Sequence, residues 1–236
     1  MSRLRSLLTL VAALALLTLV VLTGCGSDDD GGSTTAAATD TPADTSTTAD
    51  AGPCKAVDLP APKGEQSLPK PKLKLDPSKR YTATVTTNCG SFTMALDVKR
   101  APKTSASFVS LARAGFYDGL IFHRVAPGFV IQGGDPLGNG SGGPGYTVVE
   151  APPKNLQYLH GVVAMAKSAT EPDGASGSQF FVVTAQDGAL PPQYALLGKV
   201  TKGLDVVDTI GAVPIDQATS VPIDPVVIES VEIHES

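Results

Sequence analysis

The sequence predicts an all-β closed barrel with helices covering its ends. Three observations carry that prediction. From about residue 80 onward, apolar residues alternate with polar ones in a succession of short segments, the period of a strand with one packed face. Only two segments carry apolar residues at helical spacing. Glycine, proline and asparagine punctuate the intervals, as they do between short strands. Many short strands with two helices fit a sheet closed on itself with its ends covered.

The elements follow in order. Tyr81–Thr87 and Ser91–Asp97 alternate, and Asn88-Cys89-Gly90 between them reads as a hairpin turn. A helix comes next: Pro102 suits its first turn, Phe108, Leu111 and Ala112 stand at i, i+3 and i+4, and Gly115 supplies a C-terminal cap. Phe122–Asp135 reads as strand, Pro127-Gly128 kink, strand. Gly138–Pro144 formally contains the spacing G-x-G-x-x-G, but a strand-like Tyr146–Val149 follows where a dinucleotide site needs a helix. These glycines are read instead as a loop folded tightly against the sheet. Gly161–Ala166, Ser178–Thr184 and Leu196–Val200 are further strands, Gly203–Ile210 is the second helix with Gly211 after it, and Val226–His234 closes the chain as a strand.

The first 79 residues differ in kind. Arg3 and Arg5 precede an apolar run from Leu7 to Leu22, which is short of the roughly 20 residues a spanning helix needs. With the small residues that follow, residues 1–24 read as an export signal. Leu22-Thr23-Gly24-Cys25 resembles the lipobox of bacterial lipoproteins, which implies acylation of Cys25 and an extracytoplasmic, lipid-anchored protein on the outer face of the bacterial cell membrane. Residues 25–52, rich in Thr, Asp and Ala, lack the apolar residues to offset ordering entropy and are expected to be a disordered linker. Residues 53–79 form a Pro/Lys-rich neck, expected to be extended with solvated lysines, and the folded domain is expected over 80–236. Linker and neck together give a tether reaching on the order of 40 Å. Once Cys25 is assigned to lipid, Cys54 and Cys89 are left as a pair in a compartment that permits disulfides, and they are expected to be bridged.

The chain carries a formal charge of −5. Without the two signal arginines and the six linker aspartates the remainder is near neutral, so no basic face is available for nucleic acid. The histidines His123, His160 and His234 are scattered without metal-ligand spacing, and no G-x-S-x-G is present. Neither a metal nor a cofactor is expected. What stands out is Phe122–Asp135, where alternation puts Arg124 on one pleat face and His123 on the other, while Val130 and Gln132 share a face. In Ser178–Thr184, Gln179 and Phe181 share one face and Phe180 and Val182 the other. A guanidinium and an amide beside apolar rings can bind a peptide, or catalyse a reaction that makes no lasting bond. Spacing alone leaves an ordinary amphipathic hairpin with a surface arginine equally open.

One such reaction is rotation about an X-Pro bond, whose barrier of about 20 kcal/mol reflects lost amide resonance. Half-way round, the proline nitrogen regains a lone pair, and a fixed guanidinium can donate to it. Phe122-His123-Arg124, Pro127-Gly128-Phe129, Gln132-Gly133-Gly134-Asp135, Gly177-Ser178-Gln179-Phe180-Phe181 and Gly198-Lys199-Val200 resemble, in order and approximate spacing, the signature segments of cyclophilins. The resemblance covers roughly residues 80–236. It implies a closed eight-stranded antiparallel barrel capped by two helices, with peptidyl-prolyl cis-trans isomerase activity. It implies that Arg124 is the catalytic guanidinium, that Gln132 helps place Arg124 and the substrate, and that Phe129, Val130, Phe181 and Leu190 line the proline pocket. Ala166, Lys167, Ser168 and Gln179 would border the groove for the preceding residue, and Tyr194 would close the rim. Proline-containing exported polypeptides are the implied partners of a monomeric domain; a proline-peptide-binding module or chaperone with little turnover is the alternative. The family's drug-binding tryptophan is Ala189 here, so the aromatic edge that holds cyclosporin is missing; Lys167 and Tyr194 replace asparagine and histidine.

Overall fold

The computed structural model describes residues 54–236; the signal segment 1–24, Cys25 and the linker 25–52 lie outside them. Eleven strands and two helices follow in the order β1 Tyr81–Thr87, β2 Gly90–Leu96, α1 Pro102–Arg113, β3 Leu120–Ile121, β4 Arg124–Ala126, β5 Val130–Gly133, β6 Val148–Val149, β7 Val162–Met165, β8 Ala175–Ser176, β9 Phe180–Val183, β10 Leu196–Lys202, α2 Leu204–Gly211 and β11 Val227–Glu235. Nine of the strands form one antiparallel sheet in the order β3-β11-β1-β2-β10-β7-β9-β5-β4, and β6 and β8 pair separately. This corrects the closed eight-stranded expectation. The sheet curls until its two edge strands are consecutive in the chain, joined by Phe122-His123, and β3 and β4 share no ladder. Two- and three-residue edge strands leave donors over, and Phe122 N and Val125 N give theirs to Val226 O (2.9 Å) and Ser220 O (2.9 Å) on the approach to β11.

Alternation set the long strands. Tyr81, Ala83 and Val85 of β1 and Phe92, Met94 and Leu96 of β2 point into one core while their neighbours are half-exposed. Phe180 of β9 is the hub of that core, with Phe108, Tyr117 and Phe122 edge-on to it at 5.9, 5.9 and 6.0 Å. Helix α1 closes one end with Phe108, Val109, Leu111 and Ala112 buried. Its first turn has no side-chain cap of its own; Glu150 accepts from Lys103 N and Thr104 N instead.

The segment 54–79 contains no helix or strand and lies along the domain as a strap, and its lysines are not all solvated. It starts where Cys54 meets Cys89 in the β1–β2 turn, with the two sulfurs 2.00 Å apart. Leu68 and Leu75 pack against the main core. Lys63 Nζ donates to Gly115 O and Phe116 O at the end of α1 (3.0 and 2.9 Å), and Lys70 Nζ donates to Thr147 O (3.0 Å).

Candidate active site

The β4–β5 hairpin and its neighbours have two faces with different work. Val125, Ile131, Phe180 and Val182 face the main core. On the other face Val130, Ala164, Phe181 and Val183 join Tyr158 and Leu196 in a second, smaller cluster. Register then sets the row: Arg124 pairs with Gln132, Gln132 with Phe181, and Phe181 with Ala164, across four adjacent strands. Directly paired side chains share a face with Cβ atoms about 5 Å apart, so guanidinium, amide and ring stand side by side. The turn Ala126–Phe129 has Pro127 at its second position and Gly128 at φ 68°, with Phe129 N donating to Ala126 O (3.0 Å). It lays Phe129 over the end of β9, where Phe129 O accepts from Thr184 N and Ala185 N.

The remaining expected residues arrive at the same place. Phe129, Ala166, Leu190 and Tyr194 are partly buried and packed against the smaller cluster. Tyr194 stands edge-on to Phe181, ring centres 5.4 Å apart. Lys167 Nζ lies 5.9 Å from the centre of the Tyr194 ring and donates to Ser168 O and Glu171 O (3.2 and 3.1 Å), which fastens the turn it starts. Beside the apolar patch, sharing Ala166 with it and lined also by Gln132 and Gln179, is a polar cavity of about 570 Å³. Its near wall is Lys167, Ser168 and Glu171; its far wall is the glycine loop from Gly140 to Thr147.

One expected contact is absent. Gln132 stands opposite Arg124, yet its Nε2 donates to Gln179 Oε1 (3.0 Å). Gln179 Nε2 passes the restraint on to Gly140 O and Gly142 O (3.0 and 2.8 Å). The Arg124 side chain has no hydrogen bond or ion pair among the described residues, so its guanidinium donors are available to a ligand.

Three residues that sequence reasoning left without a role support the site. Tyr158, fully buried, donates its hydroxyl to Tyr194 O (2.7 Å) and accepts from Tyr194 N (3.0 Å), fixing the rim. Burial pushes its phenol up to about 12. Asp135, fully buried, accepts from Leu137 N, Asn139 N and Gly140 N at 2.8, 3.0 and 2.5 Å and so shapes the start of the glycine loop. Gly134 before it has φ 85°, and a Cβ there would sit 2.6 Å from Ser178 O. No larger residue fits this passage.

His123, on the pleat face opposite Arg124, is 5 % exposed and neither ring nitrogen has a hydrogen-bond partner among the described residues. Burial holds its imidazole below its ordinary value; the Asp135 charge opposes this and the Arg124 charge adds to it. The unfolded chain therefore binds a proton that the folded chain refuses. Stability from this group is full above about pH 6.5 and is lost as pH falls through the folded value, by up to about 1.4 kcal/mol per pH unit. Urea midpoints should fall between pH 7 and pH 5 in the wild type, and His123→Gln should flatten that slope. An equal slope in both proteins counts against the assignment.

The comparisons with known proteins settle the family. The family model described as "Cyclophilin type peptidyl-prolyl cis-trans isomerase/CLD" matches residues 82–233. The chain is a cyclophilin. Peptidyl-prolyl cis-trans isomerase B of Streptomyces anulatus is 39 % identical over 175 residues, covering 66 % of this chain and 98 % of that protein. Peptidyl-prolyl cis-trans isomerase A of Mycobacterium tuberculosis is 39 % identical over 175 residues, covering 66 % of this chain and 94 % of the relative. A crystal structure of a Cryptosporidium parvum cyclophilin-type isomerase matches with TM-score 0.60 and 34 % identity, over 66 % of this chain and 98 % of that one. The same Cryptosporidium protein, crystallised in the presence of the dipeptide Ala-Pro, matches with TM-score 0.60 and 32 % identity over 65 % of this chain and 98 % of that one. This cyclophilin is a peptidyl-prolyl cis-trans isomerase. The curled antiparallel sheet with its two helices is consistent with the cyclophilin fold.

Proposed function

We propose that this isomerase turns X-Pro bonds by hydrogen bonding from Arg124 to the imide nitrogen while the proline ring rests on Phe129, Val130, Phe181 and Leu190. The observation that carries the reading is the row Arg124–Gln132–Phe181, which sets a guanidinium without a partner among the described residues beside an apolar patch. A donor aimed at the twisted nitrogen bonds the transition state better than the planar amide, and that difference is what lowers a barrier. Gln132, locked to Gln179, presents its amide to the peptide backbone, and the polar cavity takes the residues upstream of the proline. A protease-free isomerisation assay on an Ala-Pro peptide tests these roles. Phe129→Ala is expected to raise KM with kcat largely kept, and Arg124→Ala to lower kcat. Loss confined to Phe129→Ala, with Arg124→Ala fully active, overturns the assignment.

We further propose that the enzyme works outside the cytoplasm on exported polypeptides, held to the membrane through lipid on Cys25, with Cys54 and Cys89 bridged. The lipobox-like Leu22–Cys25 supports the anchor, and the adjacent sulfurs of Cys54 and Cys89 fit an oxidising compartment. Cys25→Ser is expected to move the protein from the membrane fraction to the soluble fraction. Unchanged membrane association, or free thiols at Cys54 and Cys89 in the exported protein, counts against this placement.

A further inference from the structure

The strap lies outside the segment matched by the family model, which starts at residue 82. Yet its middle runs along the back of the glycine loop whose front walls the polar cavity. That loop contains Gly138, Gly140, Gly142, Gly143 and Gly145, and so has few side chains with which to pack itself. Ordering one residue costs about 1–2 kcal/mol, and glycine more than most. Restraint has to come from outside.

On the site side that restraint reaches only as far as Gly142. Asp135 holds Leu137 N, Asn139 N and Gly140 N, and Gln179 holds Gly140 O and Gly142 O. From Gly143 to Thr147, all of which line the cavity, the partners are behind. Tyr146 meets the Ser107 hydroxyl (3.0 Å) and packs on the main core, Pro144 lies against Gly177, and the other hydrogen bonds come from the strap. Leu68 N donates to Pro144 O (2.8 Å) and Lys70 Nζ to Thr147 O (3.0 Å). At Gly145, where φ is 87°, a Cβ would lie 2.6 Å from Gln66 O and Ser67 Cα, so strap and loop are in backbone contact. The strap is itself pinned upstream, through Lys63 Nζ to Gly115 O and Phe116 O and through Lys63 N to Pro136 O.

We propose that Lys63–Lys70 is a positioning element that fixes the Gly143–Thr147 wall, and through it sets how this isomerase binds the peptide upstream of the proline. The proposal rests on the reading that the polar cavity takes those upstream residues. Lys63 and Lys70 touch no substrate; they act through the loop. The transition-state contact at Arg124 is on another strand and does not depend on them. Loosening the wall therefore weakens extended peptides and leaves the rotation step alone.

The test uses the full-length protein with Lys63→Met and Lys70→Met together, which removes three side-chain hydrogen bonds and keeps the aliphatic stems. Two substrates are compared: acetyl-Ala-Pro-amide, and a peptide carrying four residues before the same proline. The expected result is a KM for the long peptide raised about fivefold, with its kcat and both constants for the short peptide unchanged. Lys63→Arg with Lys70→Arg, which keeps donors at both places, should restore the wild-type KM. Equal weakening of both peptides, as general loss of stability would give, overturns the proposal; so does no change in either. A wild type that turns over neither peptide sinks the reading of the site itself, whatever the strap does.

Discussion

Arg124→Ala is expected to lower kcat/KM on an Ala-Pro peptide at least tenfold, which is about 1.4 kcal/mol or more of transition-state stabilisation. The expectation follows from what the guanidinium can and cannot do. It cannot serve as an acid, because it does not lose its proton in proteins, so its contribution is a fixed donor. A fixed donor helps only where an acceptor appears during the reaction, and the imide nitrogen becomes one as the amide twists. Affinity for the ground-state peptide should change by less than about threefold, since ring contact is left with Phe129, Val130, Phe181 and Leu190. Stability should move by less than about 0.5 kcal/mol, because Arg124 is half-exposed and its side chain has no hydrogen-bond partner among the described residues to leave behind. Arg124→Lys should recover little, as one ammonium on a flexible stem does not hold the fork's direction. The three readouts separate the roles: turnover, peptide affinity from equilibrium titration, and urea midpoint. Wild-type turnover in Arg124→Ala sinks the mechanism.

The sequence shows the faces of the site more readily than its rows. Period two is local geometry, so Gln179 and Phe181 could be placed together, opposite Phe180 and Val182, from seven residues of sequence. The row Arg124–Gln132–Phe181 needs the register of β4, β5 and β9, and register between distant strands is decided by the whole core. For the same reason the two-residue strands β3 and β8 left no trace in the pattern. The family resemblance implied that Gln132 helps place Arg124 and the substrate, but its amide donates to Gln179, 47 residues on. Tyr158 sits in a loop with no periodicity, and only its partner 36 residues away reveals its work. Nor could composition distinguish the strap from a solvated tether. Prolines and lysines look the same in both, and what decides is the surface opposite: carbonyls at Gly115, Phe116 and Thr147 that accept from the strap lysines, and a side-chain-free face at Gly145.

Asp135→Ala should cost about 3 kcal/mol or more in urea unfolding, more than any surface change in the domain. The carboxylate is fully buried and is the acceptor for three backbone amides, so its loss leaves Leu137 N, Asn139 N and Gly140 N without partners. Asp135→Asn separates charge from hydrogen bonding. Its single oxygen can keep Leu137 N, but its amide nitrogen then faces Asn139 N and Gly140 N, donor against donor; turned over, it leaves Leu137 N unpaired instead. Asparagine should therefore recover less than half of the loss, although its volume is almost that of aspartate. The damage should also reach the groove. Gly140 O is one of the two acceptors that hold Gln179, and Gln179 holds Gln132. Peptide KM should rise in Asp135→Asn while Arg124 keeps its place on β4, so kcat should fall less than kcat/KM. A destabilised variant with wild-type KM would show that the loop can rebuild the wall without Asp135, and that the carboxylate serves folding alone.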